Sequence, residues 1–231
     1  MQEALRLGVV KSVEITRGAH GQVVQEIVRA AEEQQIPVKR LEEFVDQEET
    51  TTQGVRAYAR PPEVRTDLRK FLDGLPEHSL PLLLMLDGVT DPHNFGAILR
   101  TAEGAGVSAV IVRERRQAPI TDTVVKASAG AAYFIPVFQV INLAQTLRFL
   151  KEYGFWSVAA VGEVDTRNYW EYDWRRPTTL IVGAEGPGVS SLLKRDVDDL
   201  IRIPMSGRME SLNVSVATGV ILFEALKRRT G

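Results

Sequence analysis

Cysteine is absent from the 231 residues of the chain, and only three histidines are present. Without cysteine there is neither a disulfide nor a thiolate metal site, and His20, His78 and His93 alone could supply imidazole ligands. No apolar run approaches the roughly 20 residues that a helix needs to span a bilayer, and the N-terminus does not have the pattern of a signal peptide. These absences predict a cytoplasmic protein with no metal chemistry and no membrane segment.

An excess of positive charge is also missing. The 28 lysines and arginines against 30 aspartates and glutamates give a formal net charge of −2, far from the basic balance of many nucleic-acid-binding proteins. Any contact with nucleic acid must therefore use local basic patches. With 44% hydrophobic residues, the chain can bury a core as one large domain or as two unequal ones.

The first 60 residues have the pattern of a small α/β unit. Apolar spacing predicts a strand near 9–15, a helix over 22–34, an acidic helix over 41–48 and a last strand over 56–59. The composition changes at Arg60-Pro61-Pro62-Glu63, from which we predict a linker over 61–80 that contains a short amphipathic helix over 64–72.

From residue 81 onward, predicted strands and helices alternate. Strands are predicted at 82–86, 108–112, 133–140, 156–161, 179–182 and 200–203, and helices at 94–105, 122–129, 143–153, 190–195 and 211–229. This alternation predicts an α/β domain over 81–231 with a mostly parallel sheet. Such sheets bind ligands outside the carboxyl ends of their strands, so the loops after Leu86, Val161, Val182 and Ile203 are candidate site loops.

The first candidate loop leads into a helix that carries Arg100. Taken alone, Asp87-Gly88 is a turn, Asn94 a helix N-cap and Arg100 a solvated helical residue. Arg100, however, lies among apolar and small residues, where a guanidinium usually has an anionic partner such as a phosphate or a carboxylate.

The second candidate loop is rich in glycine and runs from Gly183 to Val189. It has neither the spacing of a dinucleotide-binding loop nor the lysine of an ATP-binding phosphate loop. Glu185 in this loop is either an exposed acid or a partner for a helix-start asparagine, a substrate amide or the Arg100 guanidinium.

The third candidate is the segment 203–219, where polar residues begin a helix that is apolar on every side. Ser211, Asn213 and Ser215 lie at its start. Ser211 could be the N-cap. Alternatively, the helix start binds a ligand anion, because its free N–H groups carry partial positive charge.

Taken together, the three segments resemble the signature motifs of the SpoU/TrmH (SPOUT) family of RNA ribose methyltransferases. The matching residues, in chain order, are Asp-Gly-x-x-Asp-Pro-x-Asn-x-Gly-x-x-x-Arg, Gly-x-Glu-Gly-x-Gly and Ile-Pro-Met-x-Gly-x-x-x-Ser-Leu-Asn-Val-Ser. The resemblance covers 81–229. It implies a deep trefoil knot in place of an ordinary doubly wound sheet, and a homodimer whose last helix is buried and faces the partner.

The same resemblance implies a cofactor and a set of site residues. S-adenosylmethionine would be held by backbone groups at Gly183, Ile203 and Leu212. The implied catalytic residues are Asn94, Arg100, Glu185, Ser211 and Asn213, with Arg100 acting on the cofactor of the other protomer. Arg100 would be either the general base or, because a neutral guanidinium is costly near pH 7, an electrostatic stabiliser of the developing alkoxide.

Residues 1–60 resemble the ribosomal-protein L30e-like substrate-binding domain of the bacterial 23S rRNA guanosine 2′-O-methyltransferase branch. Ile36-Pro37-Val38 and Gln53-Gly54-Val55 fit its pattern, whereas Thr52 stands where a histidine is usual, and the family usually has a strand before Glu3. The implied substrate is a guanosine of 23S rRNA. A tRNA target and a non-catalytic RNA-binding ribosome-assembly factor are the alternatives.

One basic loop is a candidate for RNA binding. Arg113, Arg115 and Arg116 follow a predicted strand end, where they would contact phosphates or else form a solvated surface cluster.

Overall fold

Two sheets organise the computed structural model, which describes residues 2–44, 54–115, 117–163 and 165–231. They belong to two compact units, Met1–Pro61 and Pro62–Gly231. Each unit buries its own set of apolar side chains. Each therefore has the separate core that a domain requires.

The first unit contains a three-stranded sheet. Its elements are α1 (Gln2–Arg6), β1 (Val10–Thr16), α2 (Gln22–Glu33), β2 (Val38–Leu41) and β3 (Val55–Ala59). The central strand β1 pairs in parallel with β2 and antiparallel with β3. α2 buries Val24, Ile27 and Ala31 at helical spacing. The acidic helix predicted over 41–48 does not begin at Leu41, because that residue ends β2; residues 45–48 lie outside the described residues.

The second unit contains an eight-stranded sheet whose paired strands are all parallel, as predicted. The strand order is β4-β7-β6-β5-β10-β8-β11-β9. The strands are β4 (Val64–Arg65), β5 (Leu82–Asp87), β6 (Ala109–Arg113), β7 (Val137–Val140), β8 (Trp156–Ala160), β9 (Arg167–Asn168), β10 (Thr178–Gly183) and β11 (Asp199–Arg202). The helices are α3 (Leu68–Asp73), α4 (Pro92–Gly104), α5 (Asp122–Ala127), α6 (Leu143–Glu152), α7 (Ser191–Asp196) and α8 (Val214–Thr230).

Strand β5 shows why this sheet is buried on both faces. Its sequence is almost entirely apolar and all six of its residues are buried. Successive side chains of a strand point to opposite faces. Leu82, Leu84 and Leu86 accordingly join the core that contains α4 and α8, whereas Leu83 and Met85 join the core that contains α3 and α6.

The stretch predicted as a linker, 61–80, belongs largely to the second unit. Val64 of β4 pairs with Val137 of β7. Leu68 and Leu72 of α3 are each 6% exposed and join the core on one face of the sheet. The prolines mark the boundary between the units, but the apolar residues that follow them pack and do not form a free connection.

Within a single chain, helix α8 is buried on one side only, whereas the predicted burial of its other side involves a partner subunit. One side packs on α4 and the sheet, where Ile221, Leu222 and Ala225 are fully buried. On the other side Val216 and Phe223 are each 52% exposed. No helix in the described part of the chain is long and apolar enough to cross a membrane.

Candidate active site

Three side chains from the three candidate segments meet in one hydrogen-bonded cluster. Asn213 Nδ2 donates to Glu185 Oε1 at 2.6 Å and to Asn94 Oδ1 at 2.9 Å. Asn94 Nδ2 donates to the same Glu185 oxygen at 3.3 Å. All three residues follow carboxyl ends of strands in the sheet, so the structure brings together residues that are up to 119 positions apart. We call this set the Asn–Glu–Asn cluster.

The start of α4 orients Asn94 toward this cluster. Asp91 is the N-cap, and its Oδ2 accepts a hydrogen bond from the Asn94 backbone N–H at 2.7 Å. Pro92 occupies the first turn, where its missing N–H costs nothing. The alternative that Asn94 is the N-cap is therefore wrong. Because Asp91 takes that position, the Asn94 amide is free to bind Glu185 and Asn213.

The start of α8 is capped by Asn213. Its Oδ1 accepts from the Ser215 backbone N–H at 2.9 Å and from Ser215 Oγ at 2.6 Å. Ser211, the predicted cap, is exposed and lies three residues before the first helical residue, too early to cap it. Asn213 thus has two functions: its oxygen caps α8, and its amide nitrogen holds Glu185.

Glycine places Glu185 within a tight loop between β10 and α7. A Cβ added to Gly183 would lie 2.0 Å from the carbonyl carbon of Gly188, so this position accepts only glycine. Gly186 and Gly188 have φ angles of 83° and 65°, in the left-handed region that side chains disfavour. The loop therefore folds back on itself and presents Glu185 at its exposed tip.

Asp87 holds both ends of this glycine-rich loop. Its backbone carbonyl accepts from the Ala184 N–H at 3.0 Å, and its Oδ2 accepts from the Ser190 N–H at 2.9 Å. The side chain is only 9% exposed, and its other oxygen lies 3.4 Å from the Arg113 guanidinium. The sequence alone assigns Asp87 only to a turn. The overlooked signal is an acidic residue at the end of a strand that is otherwise apolar and buried.

The predicted RNA-binding arginines have different environments. Arg113 forms the ion pair with Asp87 just described, so its charge is already partly neutralised within the chain. Arg115 is exposed and has no ion pair in the described ranges. Arg116 lies outside the described residues. Of the three, only Arg115 presents a free guanidinium in the part of the chain that the structure describes.

Arg100 is separated from the Asn–Glu–Asn cluster within one chain. It lies six residues after Asn94 on α4, which places the two side chains about 120° apart around the helix axis. The guanidinium is exposed and has no hydrogen bond or ion pair to any described residue. Glu185 therefore binds the two asparagines, not Arg100 of its own chain.

The predicted cofactor residues lie around the same edge of the sheet. Gly183 ends β10, Ile203 follows β11, and Leu212 precedes α8. Among the described residues, the segment 204–212 makes no backbone–backbone hydrogen bond. Its N–H and C=O groups are therefore available to a ligand, and Ile203 and Leu212 add partly exposed apolar side chains. These features fit a cofactor that backbone groups recognise.

An ion pair anchors the neighbouring loop after β8. Lys194 Nζ of α7 lies 2.5 Å from Glu163 Oε1. This hydrogen bond lowers the pKa of the Glu163 carboxyl, against the opposing effect of partial burial. The pair connects the loop after β8 to helix α7. In the described residues, no group of three or more acidic or histidine side chains is arranged to hold a metal ion.

Comparison with known proteins identifies the family. Residues 81–223 match the model of the SpoU rRNA Methylase family. The 23S rRNA (guanosine-2′-O-)-methyltransferase RlmB of Pseudomonas aeruginosa is 46% identical over 225 residues, covering 96% of this chain and 90% of that protein.

Solved structures agree with this result. An RNA 2′-O ribose methyltransferase has a TM-score of 0.81 and 27% identity, covering 100% of this chain and 86% of that one. An AdoMet-bound rRNA methyltransferase from Sinorhizobium meliloti has a TM-score of 0.73 and 26% identity, covering 98% and 83%. The chain therefore belongs to the SpoU rRNA Methylase family.

Proposed function

We propose that this protein transfers a methyl group from S-adenosylmethionine to the 2′-hydroxyl of a guanosine ribose in 23S rRNA. The observation that carries the proposal is the Asn–Glu–Asn cluster, which joins the three family motifs at the carboxyl edge of the sheet. The similarity to RlmB over nearly the whole chain supports the choice of RNA. With an rRNA substrate, the protein would act in the cytoplasm.

Backbone groups would hold the cofactor. Gly183, Ile203 and Leu212 are the proposed contacts, and the unpaired backbone of 204–212 supplies donors and acceptors. When bound, S-adenosylmethionine supplies a methyl carbon that is electrophilic because it is attached to a sulfonium. The role of this chain is then to present a ribose oxygen to that carbon and to weaken the hold of the oxygen on its proton.

Glu185 is the group best placed to orient the ribose. Its Oε1 accepts from Asn94, from Asn213 and, at 3.4 Å, from the Val214 N–H. Its Oε2 accepts no hydrogen bond from the described residues. One carboxylate oxygen is therefore fixed by the protein, and the other is available to a substrate hydroxyl or to a guanidinium. Ser211, which does not cap α8, is free for a further contact with the substrate.

A second copy of the chain would complete the site with Arg100. Val216 and Phe223 form an exposed apolar stripe on α8, and Met209 before the helix is 72% exposed. Such a stripe is typical of a protein interface. We assign it to a homodimer in which Arg100 of the partner subunit approaches the cofactor. The positively charged guanidinium would bind the phosphate of the target nucleotide or stabilise the developing alkoxide. To act as a base, it would first have to lose a proton, which is costly near neutral pH.

The remaining features are proposed from the family resemblance. The unit Met1–Pro61 would bind the RNA as an L30e-like domain, with Arg113, Arg115 and Arg116 as further contacts. The chain between β10 and α8 would form the trefoil knot.

Methylation mapping tests the proposed function. Ribose methylation is compared in 23S rRNA and in tRNA from cells with and without the protein. We expect one guanosine of 23S rRNA to lose its 2′-O-methyl group without the protein. Loss of a 2′-O-methyl group from tRNA alone would mean that the substrate is tRNA and not 23S rRNA. Calorimetry with S-adenosylmethionine tests the alternative of a non-catalytic ribosome-assembly factor, because such a factor has no need to bind this cofactor.

A further inference from the structure

A cavity of about 630 Å³ lies at the carboxyl edge of the large sheet, away from the Asn–Glu–Asn cluster. It is lined by the end of β7, by residues that follow β4, β6 and β7, by the start of α3 and by the first two turns of α6. Its volume is in the range of small-ligand sites, about 300–1,000 Å³. This is also the edge at which parallel sheets bind ligands. The cavity is therefore a candidate site distinct from the proposed cofactor site.

One RNA strand can pass both sites, because both lie at the carboxyl edge of the large sheet. In the sheet order, β6 and β5 separate β7 from β10, the strand that precedes Glu185. With strands roughly 4.8 Å apart, β10 is about 14 Å from β7. Stacked nucleotides rise about 3.4 Å per step, so roughly four steps cover this distance, and an extended strand needs fewer. A nucleotide a few positions from the target ribose can therefore reach the cavity.

Several polar side chains of the cavity are free to bind a ligand. Asp67 and Asn142 already cap α3 and α6 by accepting backbone hydrogen bonds. By contrast, the side chains of Glu114, Gln139 and Gln145 make no hydrogen bond within the described part of the chain. One carboxylate and two amides are thus available. A carboxylate repels a phosphate but accepts well from the amino group of a base.

A planar guanidinium and an aromatic ring form one side of the cavity. The Arg69 guanidinium lies 5.0 Å from the centre of the Phe149 ring, and its Nη1 donates to Tyr153 Oη at 3.4 Å. These contacts hold the guanidinium plane in place. Arginine planes and aromatic rings are the surfaces on which proteins stack unpaired RNA bases.

We propose that this cavity binds an unpaired base of the RNA substrate, at a nucleotide a few positions from the methylated ribose. The proposal rests on the proposed function. Glu114 accepts a hydrogen bond from the exocyclic amino group, so the base is guanine, adenine or cytosine, because uracil has no amino group. Gln139 and Gln145 bind the remaining edge groups. The cavity would then contribute to the choice of target by recognising a nucleotide near the methylated one.

A double-mutant cycle between protein and RNA tests the proposal. In an RNA fragment that the wild type methylates, each nucleotide within about five positions of the target is replaced in turn by uridine. The value of kcat/KM is measured for the wild type and for Glu114→Ala, which removes the acceptor. At one position we expect uridine to reduce kcat/KM roughly tenfold with the wild type, the cost of one lost base contact. The same replacement should have little effect with Glu114→Ala. Glu103→Ala, which removes an exposed acid outside the cavity, should behave as the wild type.

A substitution that fills the cavity provides a second test of the proposal. Gln145 is exposed, so Gln145→Trp should fold normally, occupy the cavity and raise the KM for RNA without changing the affinity for S-adenosylmethionine. If the uridine replacement and Glu114→Ala reduce kcat/KM independently at every position, or if Gln145→Trp keeps the wild-type KM, the cavity is not a base site although the proposed function stands. If the wild type methylates no RNA, the proposed function and the base site both fail.

Discussion

Asn213 Nδ2 lies 2.6 Å from Glu185 Oε1, and this contact joins the N-cap residue of the last helix to the tip of the glycine-rich loop. The two residues are 28 positions apart. Because the other polar atom of the same amide caps α8, the position of the helix and the orientation of the carboxylate depend on one side chain. Stability and catalysis should therefore be separable by substitutions at Asn213.

Substitution of Asn213 by aspartate should remove activity while keeping the helix cap. Aspartate retains an oxygen that accepts from the Ser215 N–H, but it loses the amide donor and places a second carboxylate near Glu185. We expect the rate of methyl transfer to fall roughly a hundredfold, as for other lost preorganised donors. Asn213→Ala loses the cap as well, which should reduce the free energy of unfolding by about 1 kcal/mol.

Single-turnover methylation and urea unfolding measure the two effects. The aspartate variant should be at least as stable as the alanine variant, because a carboxylate also caps a helix and suits its positive end. A stable Asn213→Asp variant that methylates RNA at the wild-type rate would show that donation to Glu185 has no part in the reaction.

Arg100→Ala should abolish methyl transfer with little effect on stability. The side chain is exposed and unpaired in the described part of the chain, so the free energy of unfolding should change by less than about 0.5 kcal/mol. Binding of S-adenosylmethionine should also be nearly unchanged. Arg100→Lys retains the charge but not the planar pair of N–H groups, and partial activity would favour the electrostatic role. A wild-type single-turnover rate for Arg100→Ala would exclude both proposed roles.

Mixing two inactive variants tests whether the site is shared. If Arg100 acts on the partner, a heterodimer of Arg100→Ala and Asn213→Asp chains contains one site in which both residues are intact. Random exchange should then restore roughly a quarter of the wild-type activity, since half of the dimers are mixed and each has one good site. No recovery after confirmed exchange would place Arg100 and Asn213 of the same chain in one site.

The exposed stripe on α8 should determine the oligomeric state. Val216→Glu introduces a charge into the proposed apolar interface, so we expect this variant to be a monomer where the wild type is a dimer. Val23 of α2 is the matched control, because it is also a helical valine and is also 52% exposed. Val23→Glu should remain dimeric by sedimentation velocity. A monomeric wild type, or a dimeric Val216→Glu, would reject this interface.

The sequence predicted the parallel sheet and the loops of the site, because both depend on local periodicity. β5 is apolar throughout, and Asn94, Glu185 and Asn213 each follow a predicted strand end. The pairing of these three residues needed the family resemblance or the structure, since periodicity carries no information on which loops meet.

Other features depend on competition between neighbouring residues or on distant contacts. Ser211 and Asn213 are both good N-cap residues, and the apolar pattern does not choose between positions two residues apart. Asp87 and Arg113 pair across 26 positions, and β4 has only two residues, too few to show an alternating pattern. The sequence could not predict which side of α8 is exposed, because apolar residues that face a partner resemble those of a core.

Acid should weaken the sheet through Asp198, at the amino end of β11. Its carboxylate lies 2.7 Å from Lys151 Nζ and accepts from the Ser157 N–H at 2.9 Å and from Ser157 Oγ at 2.6 Å. Burial opposes the charged form, but the hydrogen bonds from Lys151 and Ser157 outweigh it and lower the pKa of Asp198. A carboxyl whose pKa is lower in the folded state stabilises the fold above its unfolded pKa, and this stabilisation is lost as the pH falls through the folded pKa.

Asp198→Asn should therefore reduce the free energy of unfolding at neutral pH, by about 1–3 kcal/mol for a partly buried, charge-assisted contact. The difference from the wild type should shrink as the pH falls below the ordinary aspartate range, because the wild-type carboxyl is then protonated as well. Urea unfolding between pH 7 and acid measures both effects. Glu103→Gln, which removes an exposed acid without such contacts, should show neither. A constant difference between Asp198→Asn and the wild type at every pH would mean that the contribution of Asp198 comes from its shape and not from its charge.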